Sequence, residues 1–143
     1  MSALRISTEP GELDVALIHR FLSQESYWAA GISRAALERA MVHSLCFGGY
    51  LDGAQVAFAR VVTDRVTSAH LKDVFVLREY RGRGFGKALM QAVMAHPDLL
   101  AVTFTLATND AHTLYEKFGF VRSPRPERSM VRPGTFLERV ERE

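Results

Sequence analysis

Two hydrophobic periods alternate along this chain. Residues 4–7 (LRIS) alternate as a short strand, and Glu9-Pro10-Gly11-Glu12 reads as a turn that leads into a helix. Leu13, Leu17, Ile18, Phe21 and Leu22 then fall on one helical face. No clean period runs through residues 24–33, where Gly31 predicts a loop or a broken helix. Ser33 is suited to cap a second helix with Leu37, Met41 and Leu45 on its buried side. LCFGGYL and AQVAFARVV, joined by Asp52-Gly53, read as a hairpin. A polar connection over 63–68 leads to a strongly apolar strand, 71–77. Phe85, Leu89, Ala92 and Val93 share a face of a helix over 84–95, closed by His96-Pro97. AVTFTLA predicts a strand and residues 110–118 a short helix that ends on Gly119. GFVRS and RSMVR read as late strands, and the charged tail TFLERVERE as a frayed helix. The order describes an α/β (α+β) layer with helices covering a sheet.

Composition narrows the class. At 143 residues the chain is expected to form one domain, 1–143, with enough length for a substantial core. Apolar residues make 48% and charged residues 24%, the balance of an ordinary globular protein. A net charge of +2 is far from the basic footprint of a DNA-coating protein, so no nucleic-acid partner is expected. No run approaches the roughly twenty apolar residues that span a bilayer. The opening MSALRISTEPGELD turns acidic where a signal peptide needs an apolar core. The single cysteine, Cys46, excludes an internal disulfide and a cysteine-based zinc cluster. The expectation is a cytoplasmic domain with no membrane partner and no metal.

The most informative residues are Arg81-Gly82-Arg83-Gly84-Phe85-Gly86-Lys87, between an apolar strand and an amphipathic helix. Three glycines let a backbone approach a ligand closely. A helix N-terminus with unpaired N–H groups favours phosphate, and Arg81, Arg83 and Lys87 add charge at the same place. The loop is not a Walker A motif, because Arg81 and Ala88 hold places that need Gly and Ser/Thr. Nor is it a Rossmann fingerprint, since neither Lys87 nor Leu89 supplies the third glycine. An anion, most simply a pyrophosphate, fits the pattern better than a solvated glycine turn does.

At these residues the chain resembles the GCN5-related N-acetyltransferase (GNAT) superfamily. The family signature [Q/R]-x-x-G-x-[G/A] is matched by Arg81, Gly84 and Gly86, after DVFVLREY in the place of its fourth strand. A second element, A-x-x-L-Y-x-x-x-G-F, is matched by Ala111, Leu114, Tyr115, Gly119 and Phe120. The resemblance covers at least residues 44–122. It implies a central mixed, mostly antiparallel sheet with a splayed strand pair, and acetyl-CoA as co-substrate in the gap.

By that resemblance, Val74, Phe75 and Val76 offer backbone groups to pantetheine and to the acetyl carbonyl, and residues 82–87 wrap the pyrophosphate. Tyr115 matches the family's tyrosine near the thiolate and would act as general acid; as a sequence feature alone it is a packed helical aromatic. Where many members carry Asn, this chain has Thr108 beside Asn109, both expected to touch the cofactor. The general base is open between Asp73, His70, Glu79 and water, with Asp73 favoured. Tyr27 and Trp28 lie where the family varies with substrate and would wall the acceptor pocket, unless they are simple core packing.

Lacking a well-placed nucleophile, the chain points to direct attack by a primary amine, a small molecule rather than a protein. The alternative is an acyl-CoA-binding sensor or partner domain without turnover. Members often pair near the C-terminus, which implies a homodimer. Arg122, Arg125, Arg128 and Arg132 read as a solvated rim, and Cys46 as a buried thiol without chemistry.

Overall fold

The computed structural model describes residues 3–139. Five strands form one sheet in the order β1 (Arg5–Ser7), β2 (Leu45–Leu51), β3 (Ala54–Thr63), β4 (Ser68–Val76) and β5 (Thr103–Leu106). The first four are antiparallel to their neighbours, and β5 runs parallel to β4. Helices α1 (Val15–Gln24) and α2 (Arg34–Val42) cover one face, and α3 (Phe85–Ala95) covers the other. The short helices α4 (His112–Glu116) and α5 (Phe136–Arg139) follow β5. Among the described residues, no helix is long and apolar enough to cross a membrane.

Local chemistry sets the boundaries. Asp14 caps α1 by accepting from the Leu17 N–H at 3.1 Å, and Ser33 caps α2 through the Ala36 N–H at 3.0 Å. Asp52 and Gly53 take φ of 51° and 84°, the paired positive values of a two-residue hairpin turn. Leu45, expected on α2, instead opens β2, where it is buried against Val61. In β2, a side chain at Gly48 would fall 2.4 Å from the Tyr50 hydroxyl, so that close approach requires glycine. Ile18, Phe21, Leu22 and Leu37 pack with Phe58 and Phe75 on one side of the sheet. Leu89, Met90 and Val93 pack with Val56, Val61 and Leu71 on the other.

Two departures from the sequence pattern bear on the site. The connection expected over 63–68 shrinks to 64–67, because β4 begins at Ser68; the Asp64 carboxylate collects the N–H groups of Val66, Thr67 and Ser68 there. The late strands GFVRS and RSMVR do not form. Residues 121–136 are all exposed, and Pro126 begins a short 3-10 turn where the second strand would start. Prolines at 124 and 126 remove two ladder donors, and no neighbouring strand lies against the segment to supply the rest. The predicted tail helix is seen as α5, and its last residues, 140–143, lie outside the described ones.

Candidate active site

The site begins with one extra residue in β4. Phe75 stands opposite Phe58 and Lys72 opposite Arg60, so Asp73 and Val74 together face the single residue Ala59. Asp73 absorbs this bulge with a φ of 57°, a left-handed value that Asp tolerates better than most residues. One inserted residue reverses which side chains meet which face. Ala69 and Leu71 therefore pack toward α3, whereas Phe75 crosses to stack on Phe21 of α1, with ring centroids 4.0 Å apart.

The bulge also ends the pairing with β5. The parallel ladder runs from Ser68 opposite Thr103 to Leu71 opposite Leu106, and there β5 stops while β4 continues to Val76. A gap opens between the last five residues of β4 and the segment leading to α4. The Leu77 N–H bonds the Val56 carbonyl at 2.9 Å, so Val76 falls between bonded positions and turns its N–H and carbonyl away from β3. Its carbonyl accepts from Arg81 Nε at 3.0 Å.

Two cavities meet in this gap. The first, of about 500 Å³, lies between β4 and the start of α3 and is bordered by Phe75, Val76, Arg81, Gly82, Gly84, Phe85 and Gly86. The second, of about 270 Å³, is bordered by His70, Lys72, Asp73, Thr108 and Asn109. Tyr27, Trp28, Val74, Asp110, Ala111 and Tyr115 border both.

Two left-handed glycines shape the loop that joins β4 to α3. Gly82 and Gly84 take φ of 81° and 80°, and Gly84 begins α3 with no side-chain cap. The first helical bond is Ala88 N–H to the Gly84 carbonyl at 3.0 Å. The N–H groups of Phe85, Gly86 and Lys87 precede it and stand at the positive end of an eleven-residue helix. Arg83 instead lies over the Tyr80 ring, 5.4 Å from its centroid, and neither it nor the exposed Lys87 lines the cavity.

Tyr115 is buried, and that burial pushes its phenol above the ordinary range and keeps it protonated. His70 lies on β4 opposite Thr105, with Nδ1 2.8 Å from the Thr105 hydroxyl. Burial lowers its proton affinity, and the charges of Lys72 and Arg60 lower it further. Thr108 acts on its own chain, its hydroxyl accepting from the Ala111 N–H at 3.0 Å at the start of α4. Exposed Glu79 borders neither cavity.

Asp73 is engaged on both oxygens. One accepts from Arg60 Nε at 2.8 Å, the other from the Trp28 indole N–H at 2.9 Å. The ion pair is almost fully enclosed, with side-chain exposures of 10% and 5%, and Arg60 also donates to Ser44 at 3.0 Å. A carboxylate whose two oxygens both accept from protein donors holds Trp28 where it borders both cavities. Arg60 was not singled out in the sequence, although an arginine inside AQVAFARVV is a signal, because a charge in an apolar strand needs a buried partner. Cys46 is buried, its thiol pushed up to about 11, which leaves it inert.

Comparison with known proteins agrees with this geometry. The acetyltransferase (GNAT) domain family matches residues 42–122. A candidate GNAT-family acetyltransferase from Xanthomonas campestris pv. campestris is 54% identical, with a TM-score of 0.92 over 96% of this chain and 97% of its own. A candidate acetyltransferase of Gibberella zeae is 32% identical over 80% of this chain and 77% of its own length. The ribosomal-protein-S18-alanine N-acetyltransferase of Escherichia coli is 25% identical, with a TM-score of 0.64 over 82% of this chain and 77% of its own. With the family matching more than half of the sequence and a relative 32% identical over most of its length, the chain belongs to the GNAT acetyltransferase family.

Proposed function

We propose that the protein moves an acetyl group from acetyl-CoA to the primary amine of a small molecule by direct attack. The observation that carries this reading is the meeting of two cavities at Tyr115, one beside a row of free helix N–H groups and one beside polar side chains. The larger cavity suits the co-substrate. Its N–H groups at 85–87 match a diphosphate, and the outward N–H of Val76 matches a carbonyl oxygen. Acetyl-CoA supplies the activated thioester. The smaller cavity, at about 270 Å³, is below the usual size of drug-sized sites and suits a compact amine.

Each residue then has a part. The fixed Val76 N–H polarises the acyl carbonyl and stabilises negative charge that develops on its oxygen. The Tyr115 hydroxyl, kept protonated by burial, gives its proton to the departing sulfur. Proton removal from the amine falls to His70, neutral near pH 7; with Nδ1–H donated to Thr105, Nε2 keeps its lone pair. Asp73 is a positioning residue in this scheme, acting through Trp28.

Release of free thiol from acetyl-CoA across a panel of amines tests the reading. Tyr115→Phe is expected to lower kcat by about 100-fold or more with KM for acetyl-CoA little changed. Unchanged kcat would remove the acid role. Tight acetyl-CoA binding without thiol release from any amine would make the protein an acyl-CoA-binding domain instead.

A further inference from the structure

The walls of the smaller cavity carry two charges that form no ion pair among the described residues. Lys72 is half-buried on β4, and Asp110 is exposed at the entry to α4. Neither makes a salt bridge among the described residues. The other charges at this cavity are spoken for, since Asp73 is closed off by Arg60. The two free charges also differ in position. Asp110 borders both cavities, at their junction with Tyr115, whereas Lys72 borders only the smaller one, beside His70.

We propose that the acceptor is an amine that also carries an anionic group, a carboxylate or a phosphate, with the anion on Lys72 and the amine toward Asp110. This rests on the acetyltransferase reading above and adds the substrate class. The polarity follows from the order of the charges along the cavity. An ammonium is drawn to the junction, where its nitrogen must meet the acyl group, and the anion is left at the far end. A single-charge amine would use only one of the two walls, and an amine held the other way round would face a cation at the anion's place. Trp28, held by Asp73, borders both cavities. Lys72 also lowers the proton affinity of His70, so an anion seated on Lys72 restores some of the basicity with which His70 draws the amine's proton away through water.

The experiment compares thiol release for matched amines that differ only in the remote group: carboxylate, phosphate, or the neutral amide or alcohol. An anionic member is expected to exceed its neutral partner by about tenfold or more in kcat/KM. The carboxylate and phosphate arms identify which anion is preferred. Lys72→Met should bring that ratio close to one, and Lys72→Glu should invert it in favour of a remote cation. Asp110→Asn should lower kcat/KM for all members alike and leave the ratio standing. Thiol release with no preference for an anion, or a preference that survives Lys72→Met, overturns this inference and leaves the acetyltransferase reading intact. No thiol release with any member overturns both.

Discussion

The two walls of the central gap are built in opposite ways. On the β4 side, a nine-residue strand is paired along its length with β3, and its one irregular residue is tied by an ion pair and an indole N–H. On the other side, a four-residue edge strand leads into a helix of five residues, followed by a segment exposed throughout 121–136. Both walls contribute to the same cavities. The β4 wall carries the bulge and the outward Val76 N–H. The lighter wall carries Tyr115 and Asp110. Low local stability at ligand-binding elements is a common division of labour.

The largest expected effect breaks the rigid wall at its one charged joint. Asp73→Asn keeps a residue that accepts the left-handed backbone at φ 57°, so the substitution isolates the charge. It leaves Arg60 enclosed without a counterion, which is expected to cost about 3–5 kcal/mol in urea unfolding. Adding Arg60→Met to Asp73→Asn should recover much of that loss, because a buried pair replaced by apolar atoms is often close to neutral. A loss below about 1 kcal/mol for Asp73→Asn, as measured for exposed pairs, would show that the pair is solvated and the wall less rigid than drawn.

The loop that joins β4 to α3 offers a finer test, since two of its glycines differ in backbone conformation. A Cβ at Gly84 meets nothing within 4 Å, yet φ is 80° there, so Gly84→Ala is expected to cost about 1–2 kcal/mol through backbone strain alone. Gly86 lies inside the first turn of α3, and its Cβ would rest 3.9 Å from Val76 Cγ2, an ordinary contact. Gly86→Ala should leave stability unchanged or slightly raised, since alanine is the better helix former. Thermal unfolding of the two variants side by side checks this. Equal losses would mean that the loop is ruled by space and not by backbone conformation.

The same contrast decides what could be read from the chain. Much was legible wherever a local rule acts: alternation marked the strands, Asp52-Gly53 the hairpin, Ser33 the cap, and the glycines the turn that opens α3. What local rules cannot carry was missed. The bulge at Asp73 is a matter of register between two strands, and Lys72, Asp73 and Val74 read the same with or without it. The pairing of Asp73 with Arg60 is another such feature, because the two lie thirteen residues apart in sequence and only the fold brings them to 2.8 Å. On the lighter wall, GFVRS and RSMVR have strand-like patterns, yet a strand needs a neighbour, and pattern alone does not supply one.

The smallest expected effect tests whether the two walls act together through His70, which stands on β4 and bonds Thr105 on β5. Its proton affinity in the folded protein is below the ordinary value of about 6.5, first because of burial and then because of Lys72 and Arg60. The neutral ring, the form that can accept a proton, is thus populated at all pH values above that lowered pKa. The acid limb of kcat/KM should therefore fall below pH of about 6.5 and disappear in His70→Gln. The stability sign runs the same way. The folded state binds fewer protons than the unfolded one between the lowered pKa and the ordinary value, so folding weakens as pH drops through that window. Lys72→Met removes one of the lowering causes without touching the Thr105 bond, and should move the acid limb upward by a fraction of a pH unit. A limb that stays in place in Lys72→Met while vanishing in His70→Gln would leave burial and Arg60 as the causes. A limb that survives His70→Gln would assign proton removal to water, with His70 only bracing β4 against β5.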